Sequence, residues 1–189
     1  EVGKGRIISK QASEILVLNF GALIATSQEV AQELDATLLD MRFVKPLDEG
    51  LITEHSKDKQ IIMFGVPGAF TPTCSEKHMP SYIKLHKEFI ERGIDNIYCL
   101  SVNDEHVMKA WLLSYTDGDK IIGVADGNGD VSKNLDLLVD KTTNYMGMRS
   151  SRFAMIIKDN NIQELLIEEP GEYKKTSAEN LLNIIQSSN

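Results

Sequence analysis

Apolar residues along the chain fall into short runs separated by stripes of helical spacing. Ile15 to Phe20 is an apolar run ending at Gly21, and Gln28 to Leu34 carries Val30, Ala31 and Leu34 on one helical face. Thr37 to Val44 is strand-like again, and Pro46 opens a second helical stretch with Leu47, Leu51 and Ile52 together. Ile61 to Val66 is a further run, short enough for a buried strand. The order β-α-β-α-β predicts a parallel α/β sheet. Further on, a helix is expected from near Thr71 to near Gly93, kinked at Pro80. Ile97 to Val102 reads as a strand containing Cys99, and Asn103 or Asp104 can cap the next helix, with Val107, Ala110 and Trp111. Trp111 reads more readily as a core or interface anchor than as a binding aromatic. Ile121 to Ala125 is another strand, closed by the turn signal Asp126-Gly127-Asn128-Gly129. A strand running through Lys158 turns back at Asn160-Asn161 into Ile162 to Ile167, a hairpin. After the Pro170-Gly171 break, Ser177 to Gln186 places Leu181, Leu182 and Ile185 on one side of an amphipathic helix.

Composition narrows the classes. A chain of 189 residues with 42% hydrophobic content suits one domain, or one domain with an appendage. The net charge of −8 argues against nucleic acid or an anionic membrane as partner. No apolar run reaches bilayer-spanning length, and no secretory pattern stands at the start. A targeting peptide already removed would leave no trace, since the chain opens at Glu1. Two cysteines, Cys74 and Cys99, are too few for a disulfide scaffold, and their spacing excludes a Cys-x-x-Cys dithiol. His55, His78, His86 and His106 form no His-Glu-x-x-His pattern, so no metal and no cofactor are expected.

The candidate chemistry lies between Pro67 and Cys74. Pro67-Gly68 breaks the strand, Pro72 suits a first helical turn, and Thr71 can cap it. Cys74 then sits where free N–H groups and the helix dipole favour a thiolate, with the Thr71 hydroxyl in reach of the sulfur. A nucleophile and a small apolar side chain packed under a helix both fit that local context. Arg149 and Arg152 precede the strand through Lys158, and solvated charge is the ordinary reading for both.

Pro67, Thr71 and Cys74 match the Pro-x-x-x-Thr-x-x-Cys motif of the peroxiredoxins. With His78, Met79 and Pro80 following, the string resembles the type-5 branch, and the resemblance runs nearly unbroken from Ile61 to Ile185. It implies a thioredoxin-like central sheet flanked by helices, to which the residues before Ile61 add an N-terminal β-α-β-α extension of the α/β chain. It implies a thiol peroxidase acting on hydrogen peroxide and organic hydroperoxides, with Cys74 as the peroxidatic residue. Arg152 matches the family's active-site arginine in its Arg-Phe-x-Met context. A guanidinium beside Cys74 favours the thiolate and hydrogen-bonds peroxide oxygens, with Thr71 assisting. Pro67 shapes the loop and shields the sulfenic intermediate from water, and Arg149 is a substrate-binding candidate in the loop of Arg152. Some type-5 members carry a resolving Cys where this chain has Thr176 and Ser177, so the resemblance implies a one-Cys cycle. Glutathione, glutaredoxin or thioredoxin would be the reductant. Homodimers built around the active-site loops follow from the family, as does a cytoplasmic or, after loss of a targeting peptide, organellar setting.

Residues 1 to about 58 resemble a different family. Gly3-Lys4-Gly5-Arg6, Leu16 to Gly21 and Ala36 to Asp48 are similar to the C-terminal, transketolase-like domain of 1-deoxyxylulose-5-phosphate synthase. No Gly-Asp-Gly cofactor motif accompanies them, so the segment implies structure rather than synthase activity. The hairpin and short helix that usually open a type-5 chain have no match before Ile61. The chain therefore reads as a fusion, an artificial chimera or an unusual family member, with a segment 1–60 and a domain 61–189, the former expected to pack on the latter's sheet. A non-catalytic α/β interaction or chaperone-like module is the alternative.

Overall fold

The computed structural model describes residues 2–11, 15–43, 46–55 and 59–187. The chain divides into two compact units, Glu1–Lys57 and Asp58–Asn189. In the first, β1 (Arg6–Ser9), β2 (Leu16–Asn19) and β3 (Thr37–Asp40) form a sheet of order β1-β3-β2. β2 runs parallel to β3, and helix α1 (Ile24–Glu33) connects them. β1 lies antiparallel on the other side of β3, with a bulge between Ile7 and Ser9. All four residues of β3 are buried, and Leu38 packs with Ala31 and Ala36. Helix α2 (Glu49–His55) starts at Asp48, whose carboxylate accepts from the Leu51 and Gly5 N–H groups. The expected strand end at Val44 lies outside the described residues.

The second unit is built on a five-stranded sheet of order β10-β9-β4-β5-β6. β4 (Gln60–Val66) runs parallel to β5 (Asn96–Ser101) and antiparallel to β9 (Phe153–Lys158). β6 (Ile122–Ala125) continues the parallel side and β10 (Asn161–Ile167) the antiparallel side. β7 (Leu138–Asp140) and β8 (Met148–Ser150) make a separate antiparallel ribbon. Strand alternation sends Ile62, Phe64 and Val66 into the main core. There they meet Met79, Tyr82 and Phe89 of α3 (Met79–Glu91), Trp111 of α4 (Glu105–Leu113), and Leu181 and Ile185 of α6 (Ala178–Ser187). Trp111 is fully buried, a core residue. On the opposite face Phe153, Met155, Leu100 and Leu137 form a smaller cluster, the last just beyond α5 (Asp130–Asn134).

Four expectations are corrected. The strand at Ile61 does not continue the parallel sheet of the first unit: β1, β2 and β3 pair among themselves, whereas β4 pairs with β5 and β9. The hairpin turns on Asp159 and Asn160 rather than Asn160 and Asn161. Both adopt positive φ, 51° and 62°, as a two-residue loop matched to strand twist demands, and Asp and Asn tolerate that region. Pro80 is accommodated by a π-helical turn over Cys74–His78, which hands the Met79 N–H to the Cys74 carbonyl. A proline lacks the N–H an α-helix would use at that position, so the widened turn takes up the mismatch before α3 proceeds. α3 ends as expected at Gly93 (φ 86°), with Gly93 N–H to Ile90 O and Ile94 N–H to Phe89 O closing its last turn. The fourth correction concerns Thr71 and belongs to the site.

Candidate active site

Three segments converge at one end of the five-stranded sheet because of its register. Gly65 of β4 faces Phe153 of β9, and Phe153 faces Ile167 of β10. The loop after β4 carrying Pro67 and Thr71, Arg152 just before β9, and Glu168 just after β10 therefore emerge side by side. The Glu168 N–H donates to the Arg152 carbonyl at 3.0 Å, tying the last two together.

The chain turns helical at Pro72, so Cys74 falls in the first turn, fully buried. Ser75 beside it is held from α4 and the turn after it: Trp111 Nε1 donates to its hydroxyl at 3.0 Å and the Tyr115 hydroxyl to its carbonyl at 3.0 Å. The loop ahead is pinned by the Ala69 N–H donating to Asn103 Oδ1 at 3.1 Å. The Thr71 hydroxyl donates to the Gly68 carbonyl at 2.8 Å, not to the sulfur as the sequence suggested. That carbonyl lies three residues back in the same tight loop. The Thr71 carbonyl accepts from the Ser75 N–H at 2.9 Å and so starts the helix.

Arg152 reaches Cys74 with one nitrogen and a histidine with the other. Nη2 donates to Cys74 Sγ at 3.5 Å, and Nη1 lies 2.9 Å from His78 Nδ1. A guanidinium can only donate, so Nδ1 accepts and the imidazole proton sits on Nε2, 3.1 Å from the Thr176 carbonyl. Burial, then the Arg152 charge, pushes the His78 pKa well below 6.5, against the bond to Thr176. His78 is thus a neutral imidazole. The Tyr173 ring lies under the guanidinium, 5.8 Å from ring centre to Arg152 Cζ, and 5.0 Å from the His78 ring. Its hydroxyl is 2.9 Å from Ser81 Oγ, which itself donates to the His78 carbonyl.

Of the residues singled out in the sequence, Cys74 and Arg152 are in contact, and Pro67, Thr71 and Arg152 line one cleft of about 420 Å³ with Met146, Glu168 and Pro170. Arg149 is used differently: Nε donates to the Met146 carbonyl at 2.7 Å and Nη1 to the Val102 carbonyl at 2.9 Å, holding loops around the cleft. Cys99 is buried on β5, and burial, then Cys74, pushes its thiol up. The sequence motif gives His78 no role of its own; its position four residues after Cys74 on one helical run is the signal that points to it. Glu168 and Tyr173 lie in a loop with no periodicity to mark them.

Two family patterns match the chain: Redoxin over residues 46–182, and Transketolase, C-terminal domain, over residues 3–72. Peroxiredoxin-2B of Arabidopsis thaliana is 42% identical over 127 residues, covering 67% of this chain and 78% of that protein. Among solved structures, reduced Prx3 of Vibrio vulnificus in complex with hydrogen peroxide is similar at a TM-score of 0.68 and 38% identity, covering 72% and 84% of the two chains. The antioxidant protein of Plasmodium falciparum, a 1-Cys peroxiredoxin, is similar at 0.67 and 34% identity, covering 72% and 83%.

Proposed function

The chain belongs to the redoxin family, and within it to the peroxiredoxins, the thiol-dependent peroxidases; from that premise we propose that Cys74 is its peroxidatic residue. Its substrate is a peroxide and its reductant a thiol. The observation that carries the assignment is the Arg152 fork, one nitrogen on Cys74 Sγ and the other on His78. In the proposed reaction the Cys74 thiolate attacks one peroxide oxygen, a sulfur–oxygen bond forms and the O–O bond breaks. Sulfur is oxidised to sulfenic acid, and the departing oxygen takes a proton to leave as water or an alcohol. Arg152 donates to the peroxide oxygens as charge moves onto the leaving one. Thr71, its own proton given to Gly68, offers lone pairs to the peroxide O–H. Pro67 lines the cleft, and Arg149 holds the loops of Met146 and Val102 in place beside it.

We read the cycle as one-Cys. Cys99 is fully buried and its thiol is pushed up, which makes it a poor attacker of the sulfenic acid. An external thiol from glutathione, glutaredoxin or thioredoxin would condense with Cys74 sulfenic acid, releasing water, and a second thiol would reduce the mixed disulfide. The 1-Cys description of the Plasmodium neighbour supports this reading. Two exposed aromatics with positive φ near the cleft, Phe70 and Tyr145, support a homodimer meeting at these loops. Two free thiols suit a reducing compartment, the cytoplasm or an organelle. The segment 1–60 is read as a structural fusion to the catalytic domain 61–189. Stopped-flow oxidation by hydrogen peroxide tests the core of the proposal. A fast phase lost in Cys74→Ser, with sulfenic acid seen by mass spectrometry after one equivalent, is expected. A fast phase surviving that substitution overturns the assignment, and an abundant Cys74–Cys99 disulfide overturns the one-Cys cycle.

A further inference from the structure

The hydrogen bonds that aim Arg152 do not end at His78. The Thr176 carbonyl accepts from His78 Nε2 and also from the Tyr82 hydroxyl at 2.9 Å. Thr176 is itself fully buried and held by one oxygen of Glu168. Glu168 Oε1 takes the Thr176 N–H at 2.9 Å, the Thr176 hydroxyl at 3.1 Å and the Lys174 N–H at 2.6 Å. Three donors on one oxygen favour the carboxylate, although Oε2 is buried with no hydrogen-bond partner among the described residues. Burial opposes that charge, but the bonds from Thr176 and Lys174 together with the charge of Arg152 outweigh it, and the Glu168 pKa is lowered.

We infer that Glu168 is a positioning residue of the peroxidase site: by anchoring Thr176 it fixes the His78 tautomer, and thereby the direction in which Arg152 presents Nη2 to Cys74. A fixed Thr176 carbonyl requires the proton on Nε2, which leaves the Nδ1 lone pair for Arg152. Once that carbonyl is free to move, the proton can occupy Nδ1, where it opposes a guanidinium N–H. Arg152 then loses the partner that holds its second nitrogen at the sulfur. The Glu168 side chain bonds to Thr176 and Lys174, not to Cys74. It acts through three intervening residues.

The inference rests on the assignment of Cys74 and Arg152 above, and the test separates the two. Imidazole ¹⁵N spectra of the reduced full chain, without peroxide, read the His78 tautomer directly. Stopped-flow oxidation reads the rate, and a melting curve verifies folding. The wild type should show a protonated Nε2 and an accepting Nδ1. Glu168→Ala should give mixed tautomers and a peroxide rate lowered by about 10- to 10²-fold, the scale of a misplaced catalytic group. Glu168→Gln, which keeps an acceptor but loses the charge, should fall between the two and serves alone if the alanine variant does not fold. A folded variant with the wild-type His78 spectrum, or with a wild-type rate, overturns the inference. Loss of the Cys74 assignment would show instead as peroxide reactivity surviving in Cys74→Ser, with the tautomer readout still judging Glu168.

Discussion

Arg152 works with two nitrogens at once, so a lysine in its place cannot do the same job. An ammonium is a point charge without the planar fork, and it can meet Cys74 or His78 but not hold both in one geometry. Arg152→Lys should slow peroxide oxidation of Cys74 by about 10²- to 10³-fold, the usual loss for a donor to developing negative charge. A stopped-flow rate within a few-fold of wild type would show that charge alone suffices. His78 carries a second expectation. Its folded pKa lies well below 6.5, so between that value and 6.5 the unfolded chain binds the proton and the folded chain does not. The stability contributed by neutral His78 is fully present above about 6.5 and is lost as pH falls toward the folded pKa. Melting temperature should therefore fall with acidification below about pH 6.5, and His78→Gln should flatten that slope. An unchanged slope in the variant would place the acid sensitivity elsewhere. Cys74 and Arg152 were legible in the sequence because each sits in a short motif of fixed spacing. The Thr71 hydroxyl was not, since its direction depends on which carbonyl the folded loop brings nearest.

At the scale of elements, the site depends on β4 and β9 running side by side with Gly65 opposite Phe153. A Cβ at Gly65 would collide with the edge of the Phe153 ring, so the glycine is what lets these strands carry an aromatic across that face. Gly65→Ala should cost about 1–3 kcal/mol, and more if the ring cannot shift. A lower urea midpoint would register that cost, and an unchanged one would mean that Phe153 moves freely. Because Arg152 adjoins Phe153, the same variant should also slow peroxide oxidation. The strands β4, β5, β6, β9 and β10 and the helices α3, α4 and α6 were readable from apolar runs and stripes. The ribbon of β7 and β8 was not: each strand has three residues, too few for any period to emerge, and Met148 and Asp140 are exposed. β1 escaped notice for a similar reason, a four-residue strand whose first two residues are exposed. The π-turn was invisible because Pro80 announces a disturbed helix without saying how the backbone absorbs it.

At the scale of the whole molecule, two family patterns overlap on residues 46–72, and one strand decides between them. That strand is β4, and it hydrogen-bonds to β5 and β9 in the five-stranded sheet. The first unit is left to form a sheet from β1, β2 and β3 alone. Three strands with a helix against them are near the minimum that holds together without help. What favours the unit is the placement of β3: it is paired on both sides, every residue of it is buried, and Leu38 and Leu39 are fully so. Buried amides in a strand bonded on both sides open only when the sheet itself opens. Hydrogen exchange should therefore find Thr37–Asp40 protected to a degree comparable with β4. β1 and β2, each with one edge free of strand partners among the described residues, should exchange faster at their outward-facing amides. Rapid exchange across Thr37–Asp40 beside a protected β4 would show instead that three strands do not suffice, and that the first unit does not hold its fold.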